Sequence, residues 1–185
     1  MSYNILAISG SLRKASTNTG ALRAAQALAP NLNITIASIA DVPLYNGDIE
    51  AQGIPAPVQS LSKQITQADG LILACPEYNY SVSGVLKNTI DWLSRVQPNP
   101  LSKKPVAILS SAASIGGGAR CQYDLRKILV FQNSLTLTQP EVMIGQNYLK
   151  FDKDGNLTDE ETKKFLDKQL KAFAEWIAFC KKGAN

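Results

Sequence analysis

Four short apolar-rich runs, 4–9, 33–37, 70–75 and 105–110, each open onto a loop and then a stretch of helical period. This alternation constrains the fold more than any other feature. Short runs of this kind read as strands, and 70–75, which has no polar face, reads as one buried on both sides. Successive strands separated by helices lie parallel, with the helices crossing over the sheet. Two further short strand candidates, 135–138 and 142–144, are split by Pro140 and together supply a fifth strand. The pattern predicts an α/β fold, a doubly wound five-stranded parallel sheet with five helices shared between its two faces. Residues 1–185 read as one domain, with no internal repeat and no low-complexity tract.

The helices are drawn by their stripes. Ala21, Leu22, Ala25 and Leu28 share a face before Pro30, and Val58, Leu61, Ile65 and Ala68 share one after Pro57. Leu86, Ile90 and Leu93 follow Ser83, a suitable N-cap, and Pro98 and Pro100 end that helix. Leu125, Ile128, Leu129 and Gln132 are in register in the fourth. Thr158-Asp159-Glu160-Glu161 reads as a capping box opening the last helix, with Leu166, Leu170, Phe173, Ile177 and Cys180 on one stripe and Gly183 closing it. The connection 40–56 is long for a compact domain, and such loops are usually functional or lie over a neighbour.

Composition excludes several chemistries. There is no histidine among the 185 residues, which removes Ser-His-Asp and Cys-His catalysis and most zinc sites. Chemistry must then come from another residue type or from a bound cofactor. The net charge is +4, but Lys and Arg are scattered rather than blocked, so small anions are expected as partners and nucleic acid is not. No apolar run approaches the ~20 residues that span a bilayer, and Met1 to Asn4 lead straight into a strand pattern without a basic region or cleavage site. Neither a membrane segment nor a signal peptide is expected. Cys75, Cys121 and Cys180 are odd in number and far apart, so core thiols and a cytoplasmic setting are expected rather than a disulfide framework.

In an open α/β sheet ligands bind outside the carboxyl ends of the strands. This rule brings loops 10–18, 76–83 and 111–118 to one edge. The first has only Gly10, and so lacks both the dinucleotide pattern G-x-G-x-x-G and the P-loop. It offers Ser11, Ser16, Thr17 and Asn18, with Arg13, just before a helix start, which suits the terminal phosphate of a mononucleotide such as FMN. A polar capping loop is the plainer alternative. In the second loop Pro76 ends the strand, and Glu77, Tyr78, Asn79 and Tyr80 follow. Tyr78 can cover an aromatic face and Asn79 can bond a ring edge, although an ordinary βα loop would look similar. The third is a small-residue loop, with Ser111 and Ala112 at its start and Gly116 to Gly118 at its end. Its glycines either admit a flat ring close to the backbone or simply confer flexibility. Asp152 to Asn156 imitate an EF-hand, but the glycine falls at the fourth loop position instead of the sixth. Ser81-Val82-Ser83-Gly84 lacks the first glycine of a nucleophile elbow.

Taken together, Gly10-Ser11-Leu12-Arg13-Lys14-Ala15-Ser16 with Asn18, Pro76 to Ser81, Leu86 to Trp92, and Gly117 to Tyr123 resemble the NAD(P)H-dependent FMN reductase family. The resemblance is nearest to its bacterial chromate and quinone reductases. It runs over nearly the whole chain and is weakest from 145 to 160 and in the last helix. It implies a flavodoxin-like fold and tightly held FMN. It also implies hydride transfer from NADH or NADPH to the flavin, then two-electron reduction of a quinone, with chromate and other acceptors reduced adventitiously. Carried over by position, Ser11, Arg13, Ser16, Thr17 and Asn18 match the phosphate loop, and Glu77, Tyr78, Asn79 and Tyr80 match the ring loop. Ser111 and Ala112 match a flavin contact, where relatives often carry Ser in place of Ala112 and the contact falls to the backbone. Tyr80, Arg120, Tyr123 and Glu141 match positions that pair subunits of a homodimer or homotetramer near the active site, which implies that Arg120 and Glu141 can form a bidentate ion pair across an interface; read from the residues alone, solvated surface charge is the plainer alternative. A flavodoxin-like electron carrier, or a colourless FMN-free module on the same fold, is the competing reading. The sequence has no fingerprint for the adenosine end of a nicotinamide nucleotide, so NADH and NADPH both stay open.

Overall fold

The computed structural model describes residues 2–183. The chain runs β1 (Tyr3–Ser9), α1 (Thr17–Leu28), β2 (Leu32–Ala37), α2 (Gly47–Glu50), α3 (Ala56–Gln67) and β3 (Gly70–Ala74). It continues through β4 (Glu77–Tyr78), β5 (Ser81–Val82), α4 (Gly84–Leu93), β6 (Pro105–Ser111) and α5 (Ala119–Phe131). It ends with β7 (Leu135–Thr136), β8 (Val142–Ile144) and α6 (Glu160–Lys182).

The sheet is parallel throughout, in the order β2-β1-β3-β6-β7, with β8 also paired to β6. By position this is the 2-1-3-4-5 order of flavodoxin-like folds. The expected fifth strand is present as two pieces. β7 pairs with the start of β6, at Pro105 and Val106, and β8 with its end, from Leu109 to Ser111. The Leu137 N–H still bonds the Val106 carbonyl at 2.8 Å; residues 138–141 leave the ladder, and Pro140 among them has no N–H to donate.

Side chains that alternate along β1 divide the core. Ile5 and Ala7 join a layer with Leu22 and Ala25 of α1 and Leu166, Leu170, Phe173 and Ile177 of α6. Leu6 and Ile8 face the other side, with Leu61 and Ile65 of α3, Leu86 and Ile90 of α4, and Leu125 and Leu129 of α5. The predicted stripes are these faces, with Leu28, Ile128 and Cys180 only half-buried.

Local detail departs from expectation in four places. The connection 40–56 contains the short helix α2, capped by Asn46. It is pinned to α4, where Asn88 Nδ2 and Trp92 Nε1 both donate to the Pro43 carbonyl at 2.8 Å. The third long helix stops at Leu93, before Pro98 is reached. The last helix is capped by Asp159, whose carboxylate accepts the Thr162 N–H at 2.8 Å. Thr158 instead bonds the Lys150 carbonyl. Ser83 occupies the N-cap position of α4 without capping it.

Candidate functional site

The loops after β1, β3 and β6 leave the same edge of the sheet, as expected, and a fourth loop after β8 joins them. They enclose a cleft of about 260 Å³. Ser11, Arg13, Ser16, Thr17 and Asn18 line one end, and Pro76, Glu77 and Tyr78 the other. Ser111, Ala112 and Ala113 form a wall, and Asn147 completes it from the fourth loop.

The end formed by the first loop is built by α1. Ser16 is its N-cap, with Oγ accepting the Thr19 N–H at 3.2 Å. The first-turn N–H groups of Thr17 and Asn18 have no intrahelical acceptor, and they sit at the positive end of the helix dipole. Thr17 Oγ1 accepts from Ser111 Oγ at 2.9 Å and from Asn147 Nδ2 at 3.0 Å. With both of its acceptor positions filled, its own O–H remains as a donor. Asn18 is differently used. Its Nδ2 donates to the Ser111 carbonyl at 2.9 Å and its Oδ1 accepts the Ser111 N–H at 3.0 Å. That side chain is a strut between α1 and the end of β6, so Asn18 offers a ligand its backbone N–H rather than its amide.

The first two loops are locked together. Ser83 Oγ donates to the Gly10 carbonyl at 2.7 Å. A Cβ on Gly10 would stand 2.9 Å from both Pro76 Cδ and Ser83 Oγ, so only glycine fits this crossing.

The second loop is a β-hairpin rather than an open loop. In it β4 and β5 pair antiparallel, Glu77 opposite Val82 and Tyr78 opposite Ser81. Asn79 and Tyr80 form its two-residue turn with φ of 51° and 67°, the type I′ geometry that matches strand twist. Both turn residues are exposed and lie outside the cleft lining, whereas Tyr78 lines it.

Two ties fix the hairpin to α5. The Glu77 carboxylate accepts the backbone N–H of Arg120 at 3.1 Å and of Cys121 at 3.3 Å, and the Arg120 guanidinium approaches it at 3.4 Å. Glu77 therefore caps α5, whose own N-cap position is Gly118 in a left-handed conformation. Ser81 Oγ donates to Asp124 at 2.7 Å. The Arg120 guanidinium also lies 4.1 Å from the centre of the Tyr80 ring.

Arg120 and Glu141 do not meet within the chain. Glu141 faces Arg126 at 3.4 Å and accepts from the exposed Tyr123 hydroxyl at 3.5 Å. In the third loop Gly117 and Gly118 have φ of 59° and 89°, and a Cβ on Gly117 would meet the Met143 backbone at 2.6 Å. Gly116 faces open space instead. Cys75 and Cys121 are fully buried. Hydrogen bonding with Cys121, then burial, pushes the Cys75 thiol far above its ordinary value. Among the described residues no cluster of metal-ligating side chains occurs.

The donor set fits one kind of ligand. The end formed by residues 11–18 offers hydroxyls, helix N–H groups and a guanidinium, with no carboxylate. Such an end suits a phosphate. The far end offers the tyrosine and proline surfaces suited to a flat ring. Apart from Ala113, which lies within the third loop already named, Asn147 is the lining residue that sequence reasoning misses. The strand-end rule would have reached it, had the loop after the short strand 142–144 been counted with the other three.

Comparison with known proteins bears on this cleft. The family model described as NADPH-dependent FMN reductase matches residues 3–148. An NAD(P)H-dependent FMN reductase of Pseudomonas aeruginosa is 47% identical over 174 residues, covering 94% of each chain. A quinone reductase of Escherichia coli K12 is 46% identical over 177 residues, again covering 94% of each. Among solved structures, the flavoenzyme NAD(P)H:(acceptor) oxidoreductase FerB of Paracoccus denitrificans superposes with a TM-score of 0.85. It is 34% identical, covering 95% of this chain and 97% of that one.

Proposed function

This chain belongs to the NADPH-dependent FMN reductase family, and on that premise we propose that its cleft holds FMN and that the protein is an NAD(P)H-driven quinone reductase. When bound, FMN would supply the redox chemistry, a relay of two electrons from the nicotinamide nucleotide to a quinone. The chain itself binds and orients. Thr17, Ser11, Arg13 and the first turn of α1 hold the phosphate. Tyr78, with the backbone of the hairpin and of Ala112, holds the ring. Histidine is not needed, because hydride transfer requires no general base from the protein.

The observation that carries this reading is the end of the cleft at 11–18. Free helix N–H groups, a hydroxyl left as donor and a cation converge there without an acid. Arg120, exposed beside the hairpin, favours anionic acceptors, and chromate is read as one of them. Exposed Tyr80 and Tyr123 support assembly into a dimer or tetramer, with Arg120 exchanging Glu77 for Glu141 of a second copy. We read the setting as cytoplasmic. No described helix is long and apolar enough to cross a membrane.

A visible spectrum of the purified protein tests the core of the proposal. Flavin bands should bleach anaerobically on NADH or NADPH and return with one equivalent of benzoquinone. Bands that persist with both nucleotides would mark an electron carrier, and a protein colourless even with added FMN would refute the cleft assignment. Chromate reduction and sedimentation velocity test the acceptor range and the assembly.

A further inference from the structure

We propose that Glu77 sets the reduction potential of the flavin, with Arg120 as its counterweight. The inference rests on the assignment of FMN to the cleft and concerns Glu77, which lines it, and Arg120, which is paired to Glu77 from outside the lining. Two charged residues line the cleft, Arg13 at the end formed by the first loop and Glu77 at the other. A ring placed against Tyr78 therefore lies beside a carboxylate, although reduction adds negative charge there.

The geometry holds that carboxylate in place and out of solvent. The Glu77 side chain is 8% exposed, whereas Arg120 is 57% exposed. Two backbone N–H groups of α5 and the guanidinium fix the oxygens. A buried charge is screened little by salt, whereas a half-exposed cation is screened more. The helix end contributes roughly half a unit of positive charge. The remaining field at the ring end is negative. It opposes reduction of the flavin and so makes the reduced enzyme a stronger donor to quinones. Arg120, stacked on Tyr80, limits that effect and can be withdrawn if a second molecule engages it.

The two residues act with opposite sign, which separates an electrostatic role from a structural one. Glu77→Gln keeps an oxygen for the Arg120 and Cys121 N–H groups and removes the charge. Arg120→Gln removes the cation. Midpoint potentials of the FMN-loaded variants, from redox-dye equilibration, should rise for Glu77→Gln and fall for Arg120→Gln. A tenfold change in the preference for reduced over oxidised FMN corresponds to about 30 mV for a two-electron couple, and a shift of about that size is expected in each direction. The FMN dissociation constant is measured first. FMN uptake with potentials unchanged, or shifted in the same direction in both variants, would overturn the inference. Failure of the wild-type chain to take up FMN would overturn the cleft assignment and the inference with it.

Discussion

Tyr80 holds a backbone conformation that its own side chain disfavours. A left-handed residue other than glycine costs about 1–2 kcal/mol. Stacking with Arg120 returns about 0.5–1 kcal/mol, and glycine in its place would lose a further 0.5–1 kcal/mol through the unfolded chain. These terms nearly cancel. Tyr80→Gly should leave the thermal midpoint close to wild type while kcat/KM for quinones falls, because an aromatic surface is lost near the mouth of the cleft. Thr17 is the other telling residue. With FMN placed as proposed, Thr17→Ala removes a charge-assisted bond to the phosphate worth about 1.5–3 kcal/mol, and it releases Ser111 and Asn147. FMN affinity by fluorescence quenching should weaken at least about tenfold. That Ser11, Arg13 and Thr17 line the cleft was legible, because the loop after the first strand lies at the edge where such sheets bind ligands. The commitment of the Asn18 amide to Ser111 was not, because its partner lies 93 positions away.

Elements were legible where burial decides them, and less so where short-range competition does. The apolar stripes of α1, α3, α4, α5 and α6 could be read from spacing alone. The hairpin of β4 and β5 could not, since two-residue strands have no period and Asn-Tyr is a poor turn signal beside Asn-Gly. The start of α6 shows competition between neighbours. Both Thr158 and Asp159 can cap, and the carboxylate of Asp159 takes the position while Thr158 turns to Lys150. Hydrogen bonds from the Thr162 side chain and backbone hold Asp159 below its ordinary value. The folded state therefore binds that proton less readily than the unfolded chain. The stabilisation is complete above the ordinary aspartate value of about 4 and is lost as pH falls through the lower folded value. Asp159→Ala should cost about 1 kcal/mol at pH 7, and urea titrations should show the gap from wild type narrowing on acidification below pH 4.

At the scale of the whole molecule, strand order places the cleft. β1 and β3 are neighbours, and the crossovers on either side of them pass over opposite faces of the sheet. Beyond the Gly10–Ser83 contact that ties the loops after β1 and β3 together, the chain runs on to helices on opposite faces, which leaves the crevice where ligands bind in this class of fold. Sequence alternation predicted the sheet and this edge, and the fourth loop came only with the fold in view. One edge of the sheet is formed by β7 and β8, two short pieces separated by residues 137–141. A long unbroken edge strand is a template for pairing with other chains. Interrupted in the middle, this edge offers no such run of pairing groups, so the protein can accumulate to high concentration with little tendency to join into fibrous aggregates along that side.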